Sequence, residues 1–333
     1  MLALTAVMSL AAGCGSSGNP RETEQHASAR LLHRQQATRR DLERKLAQAK
    51  RARRQRERQA RRVAAASADA TGGSILQSDA SGSFEALAAA TPGRIGLTVA
   101  PLGNGSTASF GSLQTGHAWS TIKVPILVTL MRDRNEELSA EESQWAASAV
   151  EASDNEAAAA LFRQLESIHG GLGAASAAVQ GVMRLAGNAT TVATSPPPPG
   201  AVSTYGQTEW SAEEATAFYR ALANGCLLGP GGTEYVLGLM RNVIPEQRWG
   251  LGEAALDPSW SIGFKGGWGP EAESGAYLVR QSGLVQSGSQ GVAVTMIVEE
   301  ASGSFEAGVG DLNRMAAWLT ENLRGLGPAG GNC

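Results

Sequence analysis

Cysteine, histidine and lysine are scarce in this chain, and each scarcity excludes something. Three cysteines (Cys14, Cys226, Cys333) and four histidines (His26, His33, His117, His169) are scattered over 333 residues with no CxxC and no Cys/His cluster. A structural zinc site or a dithiol redox centre therefore has no ligand set, and neither metal nor cofactor is expected. The one strongly apolar opening, Leu2 to Ala12, is too short to span a bilayer permanently. Lysine occurs four times, at Lys45, Lys50, Lys123 and Lys265, and beyond Val63 only the last two remain beside eleven arginines. Arginine cannot be deprotonated in a protein, whereas a buried lysine can be tuned to act as a base. Lys123 and Lys265 are thus singled out.

Charge is unevenly spread behind a net value of -3. Residues 21 to 62 carry 15 Lys/Arg against 5 Asp/Glu, which leaves 13 against 26 for the rest of the chain. The basic part suits anionic surfaces such as phospholipid headgroups or a wall polymer. The start argues against nucleic acid as its partner. Leu10-Ala11-Ala12-Gly13-Cys14 closes the apolar run with small residues before a cysteine, and it resembles a bacterial lipoprotein signal. That resemblance implies cleavage of residues 1–13, a lipid on Cys14 and a membrane-anchored protein outside the cytoplasm. No Lys or Arg precedes the run, as would follow from a start placed inside a longer signal. In an oxidising compartment Cys226 and Cys333 are either a disulfide or two free thiols.

Residues 14–81 read as a basic, partly helical tether with a hinge rich in Ala, Ser and Gly, and the globular part is expected from about 82 to 333. Within it, Phe84 to Ala90 suits a short helix, Arg94 to Ala100 a strand, and Gly103-Asn104-Gly105 a hairpin turn into a returning strand near Phe110. After Ser120 the pattern becomes helical. Ser139-Ala-Glu-Glu142 and Ser211-Ala-Glu-Glu214 have the form of helix-opening caps. Ser153-Asp154-Asn155 breaks two helices, and residues 170 to 208 read as a long irregular loop. Strand periodicity then returns in Trp260 to Lys265, Gly275 to Gln281 and Gly291 to Val298. A last helix, capped at Asp311, carries Leu312, Met315, Leu319 and Leu323 on one stripe. The expected fold class is α+β: an antiparallel sheet (about 82–118 and 258–326) flanked by terminal helices, with an all-α insert (about 119–257).

Three short motifs fall in order on this scaffold: Ser120-x-x-Lys123 at a helix start, Ser153-Asp154-Asn155 at an interhelix turn, and Lys265-Gly266-Gly267 on a strand. Residues three apart on a helix are neighbours, so an amine at Lys123 can serve a hydroxyl at Ser120. Together the motifs resemble the signature of the serine β-lactamase and penicillin-binding protein superfamily, closest to class A, over about residues 82 to 326. The resemblance implies roles. Ser120 is the acylated nucleophile, Lys123 its base or relay, and Ser153 the donor to the leaving group. Asn155 and Lys265 bind substrate, with Asp154 setting the turn. Gly267 and Trp268 border the site, the Trp268 amide joining that of Ser120 in an oxyanion hole. A Trp268 side chain flanking the cleft would narrow it.

Departures from the pattern limit the activity. No carboxylate lies between Glu166 and Glu209, and the expected place of a deacylating glutamate falls near Ala189. Ser120 and Ser153 are unusually close in sequence, which implies an open cleft. Gly266 stands where the family has a hydroxyl, and Arg280, read as an exposed strand residue, is a weak substitute. The function expected is an extracytoplasmic serine hydrolase forming an acyl-enzyme at Ser120 on a β-lactam, a cell-wall peptide or another amide or ester, with slow turnover. The alternative is a non-catalytic, wall-associated binding lipoprotein of the same fold.

Overall fold

The computed structural model describes residues 75–103, 105–197, 202–271 and 274–328. The expected signal, the lipid site at Cys14 and the tether as far as residue 74 lie outside the described residues, as does Cys333. Cys226 is disulfide-bonded, which removes the free-thiol alternative for that residue.

Five strands form the central antiparallel sheet in the order β2 (Ala108–Gly111), β1 (Arg94–Pro101), β7 (Gln290–Glu300), β6 (Tyr277–Ser287), β5 (Ser261–Pro270), and a short β8 (Gly327–Pro328) pairs with β7. The interior strands are buried on both faces, so the alternation of an open sheet is replaced by near-continuous apolar runs. One face is covered by the terminal helices, α1 (Ala80–Ala90) and α8 (Phe305–Asn322), through Phe84, Leu312, Met315 and Leu319 against Leu97, Val294, Met296 and Val298. Phe84, Phe110 and Trp318 close that core, with centroids 5.0–5.4 Å apart.

The segment between β2 and β5 is helical: α2 (Lys123–Asp133), α3 (Ala140–Glu151), α4 (Asn155–His169), α5 (Leu172–Leu185), α6 (Ala212–Ala223) and α7 (Pro230–Arg241). A separate core of Ile122, Leu127, Leu130, Leu161, Val179, Phe218 and Met240 holds it together and meets the sheet at Leu284 and Ala293. The cap signatures act as read: Ser139 Oγ accepts from the Glu142 amide at 3.1 Å while Glu142 accepts from the Ser139 amide at 2.9 Å, and Ser211 Oγ accepts from the Glu214 amide.

Three expectations are corrected, and one small element is added. Residues 172–185 form a helix rather than loop, because Ala175, Val179, Val182 and Met183 recur at helical spacing and are buried. The interspersed Gly173 and Gly181 had masked that stripe. The last helix opens at Ser304, whose side chain accepts from the Ala307 amide, and Asp311 sits inside it, buried and paired with Arg314. The folded part begins before residue 82, since Leu76 is buried and bridges to Leu323. A small ribbon of β3 (Thr115–His117) and β4 (Glu209–Ser211) was too short to announce itself by periodicity.

Candidate active site

The Ser120 hydroxyl stands on a single 3₁₀ turn, Trp119–Ile122, that runs directly into α2. Trp119 has φ of 46°, a region that a bulky residue enters only under constraint. Its indole supplies the constraint: it lies over Gly269, where a Cβ would come within 2.3 Å of the ring, and edge-on to His117 at 6.0 Å. The turn is tied down by the Ala118 amide donating to Thr208 O at 2.8 Å and by Thr121 Oγ1 donating to Ala118 O. Ser120 remains partly exposed.

Lys123 follows one turn later and is 2% exposed. Its ammonium reaches across to the α3–α4 turn, donating to Ser153 O at 2.6 Å, Asn155 Oδ1 at 2.8 Å and Asp154 O at 3.2 Å, with Ser153 Oγ at 3.4 Å. Burial pulls its pKa down from 10.5 to about 7, against the opposing pull of Asp154. The expected Ser120–Lys123 hydrogen bond is not formed; Nζ is turned toward residues 153–155 instead. Asp154 caps α4, its carboxylate accepting from the Ala157 amide at 2.7 Å. Ser153 takes φ of 57°, which turns both its carbonyl and its hydroxyl inward. Lys265, fully buried on β5, donates to that hydroxyl at 2.8 Å. Burial, helped by the nearby Lys123 charge, lowers the Lys265 pKa well below its ordinary value. Ser153 therefore bridges two amines that cannot both carry a proton cheaply.

Strand β5 is the edge of the sheet, with β6 on one side and the Ser120 turn on the other. Its side chains alternate in direction. Lys265, Gly267 and Gly269 face the nucleophile, and a Cβ on Gly267 would stand 2.9 Å from both Ala118 O and the Ser120 amide nitrogen. Gly266 and Trp268 face the terminal-helix side. The Trp268 ring packs against Trp249 at 5.8 Å and Phe305 at 5.4 Å, so it does not line the cleft as expected; only its backbone borders the site. Arg280, opposite Gly267 on β6, is fully buried rather than exposed. Its Nη1 holds Trp210 O at 2.9 Å, Gly116 O at 3.2 Å and His117 O at 3.3 Å, fastening the β3–β4 ribbon beneath the nucleophile turn. Burial lowers its pKa to about 10.

Among the described residues, no carboxylate hydrogen-bonds Ser120, Lys123, Ser153 or Lys265. The loop around Ala189 is held by Glu214, which accepts from the Ala189 amide and from Thr190 Oγ1, each at 2.7 Å, and from Ser211 Oγ. Three neighbours of the site had no signal in the sequence. Trp249 lies against Gly266, Gln247 Nε2 donates to Ala152 O at 2.8 Å beside Ser153, and His117 pairs with Glu271 at 3.0 Å. The hydrogen bond to Glu271 raises the His117 pKa. Among the described residues no group of acidic, His or Cys side chains could hold a metal, and no helix is long and apolar enough to cross a membrane.

No family model and no curated protein matches the chain. Solved structures do. A point variant of PBP-A with glutamate in place of a leucine, in an acyl-enzyme complex with penicillin G, is 18% identical, with 73% of this chain and 95% of that chain covered and a TM-score of 0.57. The TLA-1 extended-spectrum β-lactamase is 13% identical over 74% of this chain and 99% of its own, with a TM-score of 0.61. The β-lactamase from Streptomyces albus G is 18% identical over 73% and 98%, with a TM-score of 0.57. The expected α+β fold of class A serine β-lactamases is therefore present.

Proposed function

We propose that this chain is a serine hydrolase that forms an acyl-enzyme at Ser120, acting on a β-lactam, a cell-wall peptide or another amide or ester. The observation that carries the reading is the convergence of Ser120, Lys123, Ser153 and Lys265 from separate elements, with a lysine whose pKa lies at about 7. A neutral Lys123 amine, once its Nζ swings from residues 153–155 toward the nucleophile, takes the Ser120 proton, and Ser153, within 3.4 Å of Lys123 and 2.8 Å of Lys265, returns one to the leaving group. The oxyanion is assigned to the amides of Ser120 and Trp268. The close approach of Gly267 to the Ser120 amide supports this.

With no carboxylate hydrogen-bonded to Ser120, Lys123, Ser153 or Lys265 among the described residues to activate water there, deacylation is slow and the acyl-enzyme accumulates. The lipoprotein-like start supports an extracytoplasmic protein anchored through a lipid on Cys14, whose basic stretch 21–62 lies against headgroups or an anionic wall polymer. Intact-mass measurement with a labelled penicillin, run beside nitrocefin turnover on the same sample, tests the reading. A stable adduct that disappears in Ser120→Ala, with little turnover, is expected. Absence of any adduct from several acyl donors would favour a binding lipoprotein that keeps the fold, and rapid turnover would overturn the slow-deacylation part.

A further inference from the structure

We infer that Gln247 is a positioning residue for acyl transfer: it holds the Ser153 turn in place while Lys123 turns to Ser120. This deepens the acyl-transfer reading above and rests on it. Four consecutive carbonyls of the α3–α4 turn are each held by a donor from a distant part of the chain. Glu151 O accepts from the Ile244 amide at 3.1 Å, and Ala152 O from Gln247 Nε2 at 2.8 Å. Ser153 O and Asp154 O both accept from Lys123 Nζ, at 2.6 and 3.2 Å. The turn needs such ties, because Ser153 at φ of 57° stays there only under constraint. Lys123 cannot keep its two and also serve the nucleophile. Once Nζ swings to Ser120, the carbonyls of Ser153 and Asp154 lose that donor, and the ties from Ile244 and Gln247 remain. Ala152 O is the nearer of these to the hydroxyl, since it belongs to the peptide bond that enters Ser153.

Gln247 is placed to hold it. It ends a 3₁₀ turn, Pro245–Gln247, closed by its own amide donating to Ile244 O at 3.0 Å and by the Arg248 amide donating to Pro245 O at 3.1 Å. Gln281 on β6 grips the same segment, donating to Trp249 O at 2.6 Å and accepting from the Leu251 amide at 2.8 Å. The segment is thus anchored on the sheet, independently of Lys123. The Gln247 amide is oriented as well. Its Oε1 is buried with no hydrogen-bond partner among the described residues, and exchanging the two ends would set that oxygen against Ala152 O. The consequence lies in the proton path. As the donor's C–N bond breaks, Ser153 Oγ gives its proton to the departing nitrogen. It recovers one from the Lys123 ammonium, which took the Ser120 proton as the Oγ–C bond formed. A rotated Ala152–Ser153 peptide would move that hydroxyl away from the Lys123 and Lys265 amines it now bridges, and small misplacements of a reacting group are costly.

The test uses the full chain with Gln247→Met, which keeps the length of the side chain and removes the donor. Labelling of Ser120 is timed by intact mass with two probes. Penicillin G has a leaving nitrogen that needs a proton, whereas p-nitrophenyl acetate releases a phenolate that does not. Loss of one positioning hydrogen bond should slow penicillin labelling by about threefold to tenfold and leave the acetate within about twofold of wild type. In a Ser153→Ala background, itself slower with penicillin, Gln247→Met should add no further loss, because both act through one hydroxyl. Equal slowing of both probes, slowing of neither, or a further loss on top of Ser153→Ala would overturn the inference and leave acyl transfer standing. So would a Gln247→Met chain that no longer melts cooperatively, a Ser153→Ala chain that labels at the wild-type rate, or labelling by the acetate alone. Failure of both probes to label the wild-type chain sinks the acyl-transfer reading and this inference with it.

Discussion

Lys123 can act as a base only while neutral, and its burial sets where that happens. With a pKa at about 7, Ser120 acylation should rise with pH through that value and level off above it. Lys123→Arg should abolish the rise and cost roughly a hundredfold or more in acylation rate, since a guanidinium stays charged. Stopped-time intact-mass assays between pH 5 and 9 check both. The same shift enters stability with a definite sign. Between about 7 and the ordinary 10.5 the unfolded chain binds a proton that the folded chain has released, so folding gains as pH rises through that window. Below about 7 both states are protonated and the cost of burying the charge is fully present. Lys123→Met should therefore flatten the climb in melting temperature from pH 7 to 9, and an unchanged slope would count against a buried amine.

At the scale of elements, the site is a meeting of two strained turns and one bare strand edge. Ser153 stands at φ of 57°, a conformation glycine adopts freely. Ser153→Gly relieves the positive φ but leaves the buried Lys265 amine without its hydroxyl partner, so the two effects offset and stability should change by no more than about 1 kcal/mol, while acylation falls because the proton path loses its hydroxyl. A calorimetric scan beside the labelling assay separates the two effects, and retained labelling would remove Ser153 from the path. Gly267 presents the opposite case. A methyl group there would meet the backbone of Ala118, Ser120 and Thr121 at 2.9–3.0 Å. Gly267→Ala should displace the nucleophile turn, costing about 1–3 kcal/mol and most of the labelling; full activity in this variant would show that the strand and turn are less tightly coupled than the structure places them.

Considered whole, the molecule keeps its described cores within residues 76 to 323. A chain of residues 62–333 should therefore melt within a few degrees of the full chain and label equally well at Ser120, measured by thermal scan and intact mass. A lost transition would mean that the basic stretch contributes to folding. The sequence by itself determined the α+β class, the placing of a helical segment between two sets of strands, the helix caps at Ser139 and Ser211 and the three motifs. These are written in local terms: period, cap residues and short spacings. Only the tertiary structure decided what the motifs do to one another. The turn of Lys123 toward Ser153, the burial that lowers both lysine pKa values, the enclosure of Arg280 and the packing of Trp268 away from the cleft all depend on segments far apart in sequence. A pKa or a side-chain direction is set by the dielectric and the partners around it, and the β5 edge, the α3–α4 turn and the Ser120 turn become each other's surroundings only once the chain has folded.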